Sequence, residues 1–221
     1  MSQINRKLLT IAIDGPAASG KSTTARKVAQ ILKYLYIDTG AMYRALTLEV
    51  LNRHISEKNK AEVVKIAKEA IIELILQGKE LRTILNNTDV SDQIRLPEVT
   101  RIISTVSAYK EIRDIMKLKQ RELAKDGGVV MDGRDIGTVV LPDADIKIFM
   151  DASVEDRTDR RLKELRNKNI SIDRDSIKKE IIQRDLIDST RDIAPLKPAD
   201  DAIKKRRRYI GSHARPAFGS G

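Results

Sequence analysis

The chain has 221 residues, no cysteine, two histidines (His54 and His213) and a formal net charge of +10. That length suits one ordinary α/β domain with insertions, and the lack of cysteine excludes both a disulfide framework and a thiolate metal site. No apolar run approaches the ~20 residues that span a bilayer, and the N-terminus lacks the apolar core of a secretion signal, so the expectation is a cytoplasmic chain with no membrane partner. Six of the ten net positive charges follow Asp201, on Lys204, Lys205, Arg206, Arg207, Arg208 and Arg215, with no acid among them. The body is therefore only mildly basic. Its few aromatic residues offer little for bases to stack on, so no specific nucleic acid is expected.

The first element in the chain is an apolar, β-branched run, Leu8 to Asp14, which reads as a buried strand. Gly15, Pro16, Ala17, Ala18, Ser19, Gly20, Lys21 and Ser22 follow and fit G-x-x-x-x-G-K-[ST] at every defined position. Helical periodicity begins at Thr23. Strand, glycine loop and helix together make a phosphate cradle of backbone N–H groups at a positive helix end. Lys21 then serves the β/γ-phosphates and Ser22 a Mg²⁺ ion, so a nucleoside triphosphate is the expected ligand.

Leu35 to Asp38 reads as a second short strand, with Asp38 and Thr39 placed at its carboxyl end, where open α/β sheets bind ligands. A helix from Ala41 carries Arg44 in its first turns; a solvated charge and a cleft-facing one are equally compatible with the local sequence. Lys60 to Glu69 is an amphipathic helix, and Ile71–Leu76 with Leu81–Leu85 reads as a β-hairpin followed by a turn over Asn86–Asp89. Pro97 suits the first turn of a helix, and two helices are expected at about 97–107 and 110–125. This helix-plus-hairpin region breaks the βαβ pattern and reads as an insertion over the cleft.

Val129 to Asp132 is a strand ending in an acid, the shape of a Walker-B strand whose Asp132 holds the metal or its water. Gly133, Arg134, Asp135, Ile136, Gly137 and Thr138 crowd charge and glycine into the loop after it. Ile146 to Asp151 is the next strand. The helix starting near Val154 puts Arg157, Arg160 and Arg161 on one face. A lid closing on phosphate oxygens and simple pairing with Glu155, Asp156, Asp159 and Glu164 explain that face equally well. A helix over Ser176–Leu186 leads to Arg191, and Pro195 and Pro198 then impose an extended path.

Gly15–Thr23, Ile37–Arg44, Val90–Arg95, Met131–Val140, Ile146–Ser153, Gln183–Asp185 with Arg191, and Ile193–Leu196, in this order and spacing, resemble bacterial cytidylate kinases over residues 8–203. The resemblance implies a three-layer P-loop kinase fold, a central parallel sheet flanked by helices with a small nucleoside-monophosphate-binding insertion and a short helical lid. It implies transfer of the ATP γ-phosphate to CMP or dCMP. It also implies that Gly15 to Thr23 hold the ATP phosphates and that Thr39 supplies a hydroxyl beside the acceptor. Arg44, Arg134 and Arg191 would clamp the acceptor phosphate. Ser104, Arg113 and Asp135 would read the cytosine edge, and Arg184 and Asp188 the ribose. Lys21, Arg134, Arg191, Arg157 and Arg161 make up the expected catalytic set.

The implied organisation is a core over 1–59, the insertion over 60–105, core over 106–153, a lid over 154–175 and core over 176–203. The basic tail, 204–221, stands outside the fold. Relatives continue after Asp201–Ile203 with a strand and a final helix, and the basic run reads as replacing both, with a loss of stability as the consequence. Nothing in the sequence demands more than a monomer. Competing readings are another P-loop small-molecule kinase, for which CMP would be inert, and a nucleic-acid-binding protein carried by the tail. A folded but inactive nucleotide binder is the remaining one.

Overall fold

The structure is a computed structural model that describes residues 7–78, 80–167 and 170–206. In chain order its elements are β1 (Thr10–Asp14), α1 (Lys21–Leu32), β2 (Leu35–Asp38), α2 (Thr39–Asn52), α3 (Lys60–Glu69), β3 (Ile72–Gln77), β4 (Glu80–Leu85), β5 (Thr88–Asp89), α4 (Pro97–Ala108), α5 (Lys110–Ala124), β6 (Val129–Gly133), β7 (Ile146–Asp151), α6 (Val154–Arg166), α7 (Arg174–Thr190) and β8 (Ile203–Arg206). A 3₁₀ turn spans Gln93–Arg95 and a π-helical turn spans Ile136–Val140.

Five strands form one parallel sheet in the order β2-β6-β1-β7-β8. Its central strands β1 and β6 are apolar on both sides, as a sheet covered by helices requires. Side chains alternate between two cores. Ala12, Ile37, Val129 and Met131 pack with Met42, Leu46, Ile112 and Met116 of α2 and α5. Ile11, Ile13, Tyr36 and Val130 pack with Ala25 and Ala29 of α1. The chain is thus a three-layer α/β fold of the P-loop kinase type. A third cluster of Leu165, Ile177 and Ile181 joins α6 to α7.

The strand register sets the site. Asp38 lies opposite Asp132, and Asp14 opposite Gly133, so the loops leaving β1, β2 and β6 emerge together at the carboxyl edge. Asp38 caps α2 by accepting the Ala41 N–H, and Ser153 and Asp173 cap α6 and α7 in the same way.

Three local expectations need correction. The turn expected over Asn86–Asp89 is tighter. Asn86 and Asn87 both take positive φ (47° and 67°), the pair a type I′ turn demands, and Thr88–Asp89 already form β5. α7 is longer than expected at both ends, running from Arg174 to Thr190. The strand thought lost at the C-terminus is present: Ile203–Arg206 pair in parallel with Ile148–Asp151. Residues 204–206 therefore belong to the sheet, and the rest of the expected tail, 207–221, lies outside the described residues. Among the described residues, no helix is long and apolar enough to cross a membrane.

Candidate active site

A cleft of about 1050 Å³ opens where the three loops meet. Its floor is the loop between β1 and α1. Glycine is needed at Gly15 because a Cβ there would sit 2.1 Å from the Met150 carbonyl oxygen. Gly20 turns into α1 at φ 91°, so the helix starts at Lys21 with its N-terminus toward the cleft. Lys21 is buried, and its Nζ donates to the Pro16 carbonyl at 3.1 Å. Burial first, and repulsion from Arg134 second, lower its pKa to about 7.

Asp132, at the end of β6, is held on three sides. Ser22 donates to Oδ2 at 2.8 Å and Tyr36 to Oδ1 at 2.7 Å, while Thr39 donates to the Asp132 carbonyl at 2.7 Å. Burial and the neighbouring Asp38 carboxylate raise its pKa to about 6. Ser22, Asp38 and Asp132 thus bring oxygen atoms together beside Lys21, and oxygen is the donor type that a hard divalent cation takes.

The walls are cationic. Arg44 from α2, Arg134 from the loop after β6 and Arg184 from α7 converge with Lys21, and Arg95 and Arg161 line the same space. Arg44 thus faces the cleft rather than bulk solvent. Burial and repulsion from Arg134 and Arg44 lower the pKa of Arg184 to about 9, and its enclosed Nε has no hydrogen-bond partner among the described residues. Asp188 stabilises part of this array. It accepts from Arg134 Nε at 2.8 Å and lies 3.7 Å from Arg191, and Arg134, Arg184 and Arg191 keep its carboxyl low despite burial.

At the far end, Arg113 from α5 pairs with Asp135, Nη2 to Oδ2 at 2.6 Å. Arg191 approaches the other oxygen of Asp135 at 3.5 Å and donates through Nε to the Ala194 carbonyl. Arg113 also lies over the Tyr43 ring. Ser104, on α4, completes this end of the lining. The 3₁₀ turn and α4 therefore reach the cleft, whereas the hairpin packs on the core.

The arginine face of α6 divides its work. Arg157 is buried, pairs with Asp185 and donates to the carbonyls of Ala152 and Ala17. Arg160 donates to the carbonyls of Ala18 and Ser19. Arg161 pairs with Glu164 at 3.0 Å, whereas Glu155 and Asp159 turn to Arg174. Of the expected pairings on that face, Arg161 with Glu164 is present, while Arg157 and Arg160 tie α6 to the carbonyls of the phosphate loop.

Of the residues expected from sequence, the cleft brings together Ala17, Ala18, Gly20, Lys21, Ser22 and Thr23 of the loop with Thr39, Arg44, Ser104, Arg113, Asp132, Arg134, Asp135, Arg161, Arg184, Asp188 and Arg191. Gly15, Pro16 and Ser19 form the loop's base, and Arg157, expected among the catalytic residues, sits behind it. Sequence reasoning missed Asp14, Tyr36 and Arg95. Arg95 closes a motif already singled out, but Asp14 and Tyr36 act on residues 122 and 96 positions away, which no local pattern reveals.

Comparison with known proteins agrees with this geometry. A family model described as "Cytidylate kinase" matches residues 11–207. A "Cytidylate kinase" of Bacillus cereus (strain B4264) is 51% identical over 199 residues, covering 90% of this chain and 88% of its own length. One from Bacillus pumilus (strain SAFR-032) is 49% identical over the same shares. One from Bacillus anthracis (strain CDC 684 / NRRL 3495) is 51% identical, again over those shares.

Proposed function

Because the chain belongs to the cytidylate kinase family, its reaction is the phosphorylation of CMP or dCMP at the expense of ATP, and we propose a division of labour among the residues of the cleft. The observation that carries it is the convergence of Lys21, Arg44, Arg134 and Arg184, two of them with strongly lowered pKa values. Cations crowded together on a cleft wall, one buried and three half-buried, suit polyanionic ligands. Two nucleotides meeting phosphate to phosphate supply that charge.

Gly15 to Thr23 cradle the ATP phosphates, with Lys21 on the β/γ end. Arg44, Arg134 and Arg191 hold the CMP phosphate as the attacking group, and Arg184 and Asp188 hold the ribose. Ser104, Arg113 and Asp135 read the base. Asp135 accepts from the cytosine amine, and Ser104 and Arg113 donate to the ring acceptors. Uracil carries a carbonyl in place of that amine and would leave Asp135 facing another acceptor. Ser22 and Asp132 would hold Mg²⁺, which supplies charge neutralisation across the transferring phosphate.

Phosphoryl transfer asks for alignment and charge compensation more than covalent help. Arg134 and Arg191 share Asp188 as an anchor, so the two guanidiniums are oriented before the acceptor arrives. Arg157 and Arg160 fasten α6 over the loop, and Arg161 at the lining completes the charge shell and limits water. All of these groups come from one chain, so the proposed site needs no residue from a second copy.

The test is kinetic. Arg44→Met or Arg191→Met should raise the KM for CMP by about tenfold or more while leaving the KM for ATP within about twofold, the loss of one charge-assisted contact. Lys21→Met should depress kcat with either substrate saturating. A rise in the KM for ATP alone from the arginine variants would overturn the assignment.

A further inference from the structure

Asp14 ends β1 and is 5% exposed. Its Oδ1 accepts the Ile136 N–H and its Oδ2 the Gly137 N–H, each at 2.8 Å. These are the first two amides of the π-helical turn Ile136–Val140, and such turns cluster at functional sites. The residue preceding the turn is Asp135, whose own side chain makes no capping bond. That is unusual chemistry for an aspartate at this position. Its carboxylate is well suited to fold down on the amides two and three residues ahead. Instead it is engaged by Arg113 at 2.6 Å and approached by Arg191 at 3.5 Å.

We infer that Asp14 is a positioning residue for base recognition: it caps the 136–140 turn from across the sheet and so leaves the Asp135 carboxylate free to face the cleft. The inference rests on the reading of Asp135 as the partner of the cytosine amine, and it adds a residue to that reading. Asp14 also directly precedes Gly15, so one side chain ties the root of the ATP loop to the base-reading loop. Burial and the Asp135 charge work against an ionised Asp14 and outweigh the two amides and Lys21. A carboxylate kept in so unfavourable a place is poorly explained by stability alone.

The experiment is a double-mutant cycle in the full-length chain, with steady-state kinetics on CMP and UMP. Asp14→Asn retains the shape but offers only one acceptor oxygen. It should lower kcat/KM for CMP by about tenfold, mostly through KM for CMP, and should narrow the CMP-over-UMP preference. In an Asp135→Asn background the same change should cost less than about threefold, because the group it positions is already gone. Equal losses in both backgrounds, or a loss with the CMP-over-UMP preference intact, would overturn the inference and make Asp14 a structural residue. If Asp135→Asn alone leaves that preference unchanged, the reading of Asp135 falls first and the inference with it. Should Asp14→Asn fail to fold, Asp14→Ser, with one hydroxyl acceptor, is read by the same criteria.

Discussion

Arg113 and Asp135 bury their charges against each other, Nη2 to Oδ2 at 2.6 Å, with side chains 6% and 8% exposed. The pair closes one end of the cleft before any nucleotide is bound. Removing one member leaves the other charged and largely withdrawn from water at the cleft wall. Arg113→Met should therefore destabilise the chain by about 3–5 kcal/mol, since Arg191 at 3.5 Å compensates only in part. Denaturant unfolding measures it, and a change below about 1 kcal/mol would show that the pair is hydrated in solution.

Arg184 presents the opposite case. Burial and its neighbours Arg134 and Arg44 outweigh the attraction of Asp188 and Glu180, and its enclosed Nε has no partner among the described residues. Arg184→Met should raise the unfolding midpoint of the ligand-free chain by roughly 2–6 °C. The same variant should weaken CMP, visible as at least a tenfold rise in KM and as a smaller midpoint gain on adding CMP. A fall in the ligand-free midpoint would contradict the charge-frustrated reading of the cleft.

Asp14 makes a prediction in pH. Its folded-state pKa is raised from the ordinary 3.8 to about 6, by burial first and by Asp135. An acid raised on folding favours the folded state below its unfolded pKa, and that contribution is lost as pH rises through the folded value. The stability of the natural chain minus that of Asp14→Asn should thus fall by up to about 3 kcal/mol between pH 4 and pH 7. Unfolding curves of the two proteins across that range check it, and a pH-independent difference would contradict it.

The C-terminal strand yields a paired truncation. Ending the chain after Arg206 keeps β8, and it should leave kinase activity and the unfolding midpoint within about 2 °C. Ending it after Ala202 strips the partner from Ile148–Asp151 and should cost about 2–4 kcal/mol with increased aggregation from the bared edge. Loss of activity in the longer truncation would shift the function toward the basic tail.

The phosphate loop, the apolar strands and the starts of the helices at Lys60, Pro97 and Val154 were legible because each is written in neighbouring residues: glycine spacing, apolar runs, a capping side chain or proline. The kinase family, and with it the reaction, was legible from motif order. β8 was hidden because Ile203, Lys204 and Lys205 are all exposed, and an edge strand needs only its backbone to pair. The hairpin's third strand was hidden for a related reason: Thr88–Asp89 is short, and only the positive φ of two asparagines reveals where the turn ends. Asp14 and Tyr36 were illegible in a different way. Their partners come from a strand and loop more than ninety residues away, and parallel pairing of β1, β2 and β6 is what brings them into reach.

The most direct measurement is ADP release by the full chain from ATP and Mg²⁺ with CMP, dCMP, UMP, AMP or no acceptor. The account predicts strong turnover with CMP or dCMP, much weaker turnover with UMP, and background rates with AMP and without acceptor. Equal turnover of CMP and UMP would contradict the role given to Asp135 and Arg113, and turnover independent of any acceptor would contradict the two-nucleotide cleft itself.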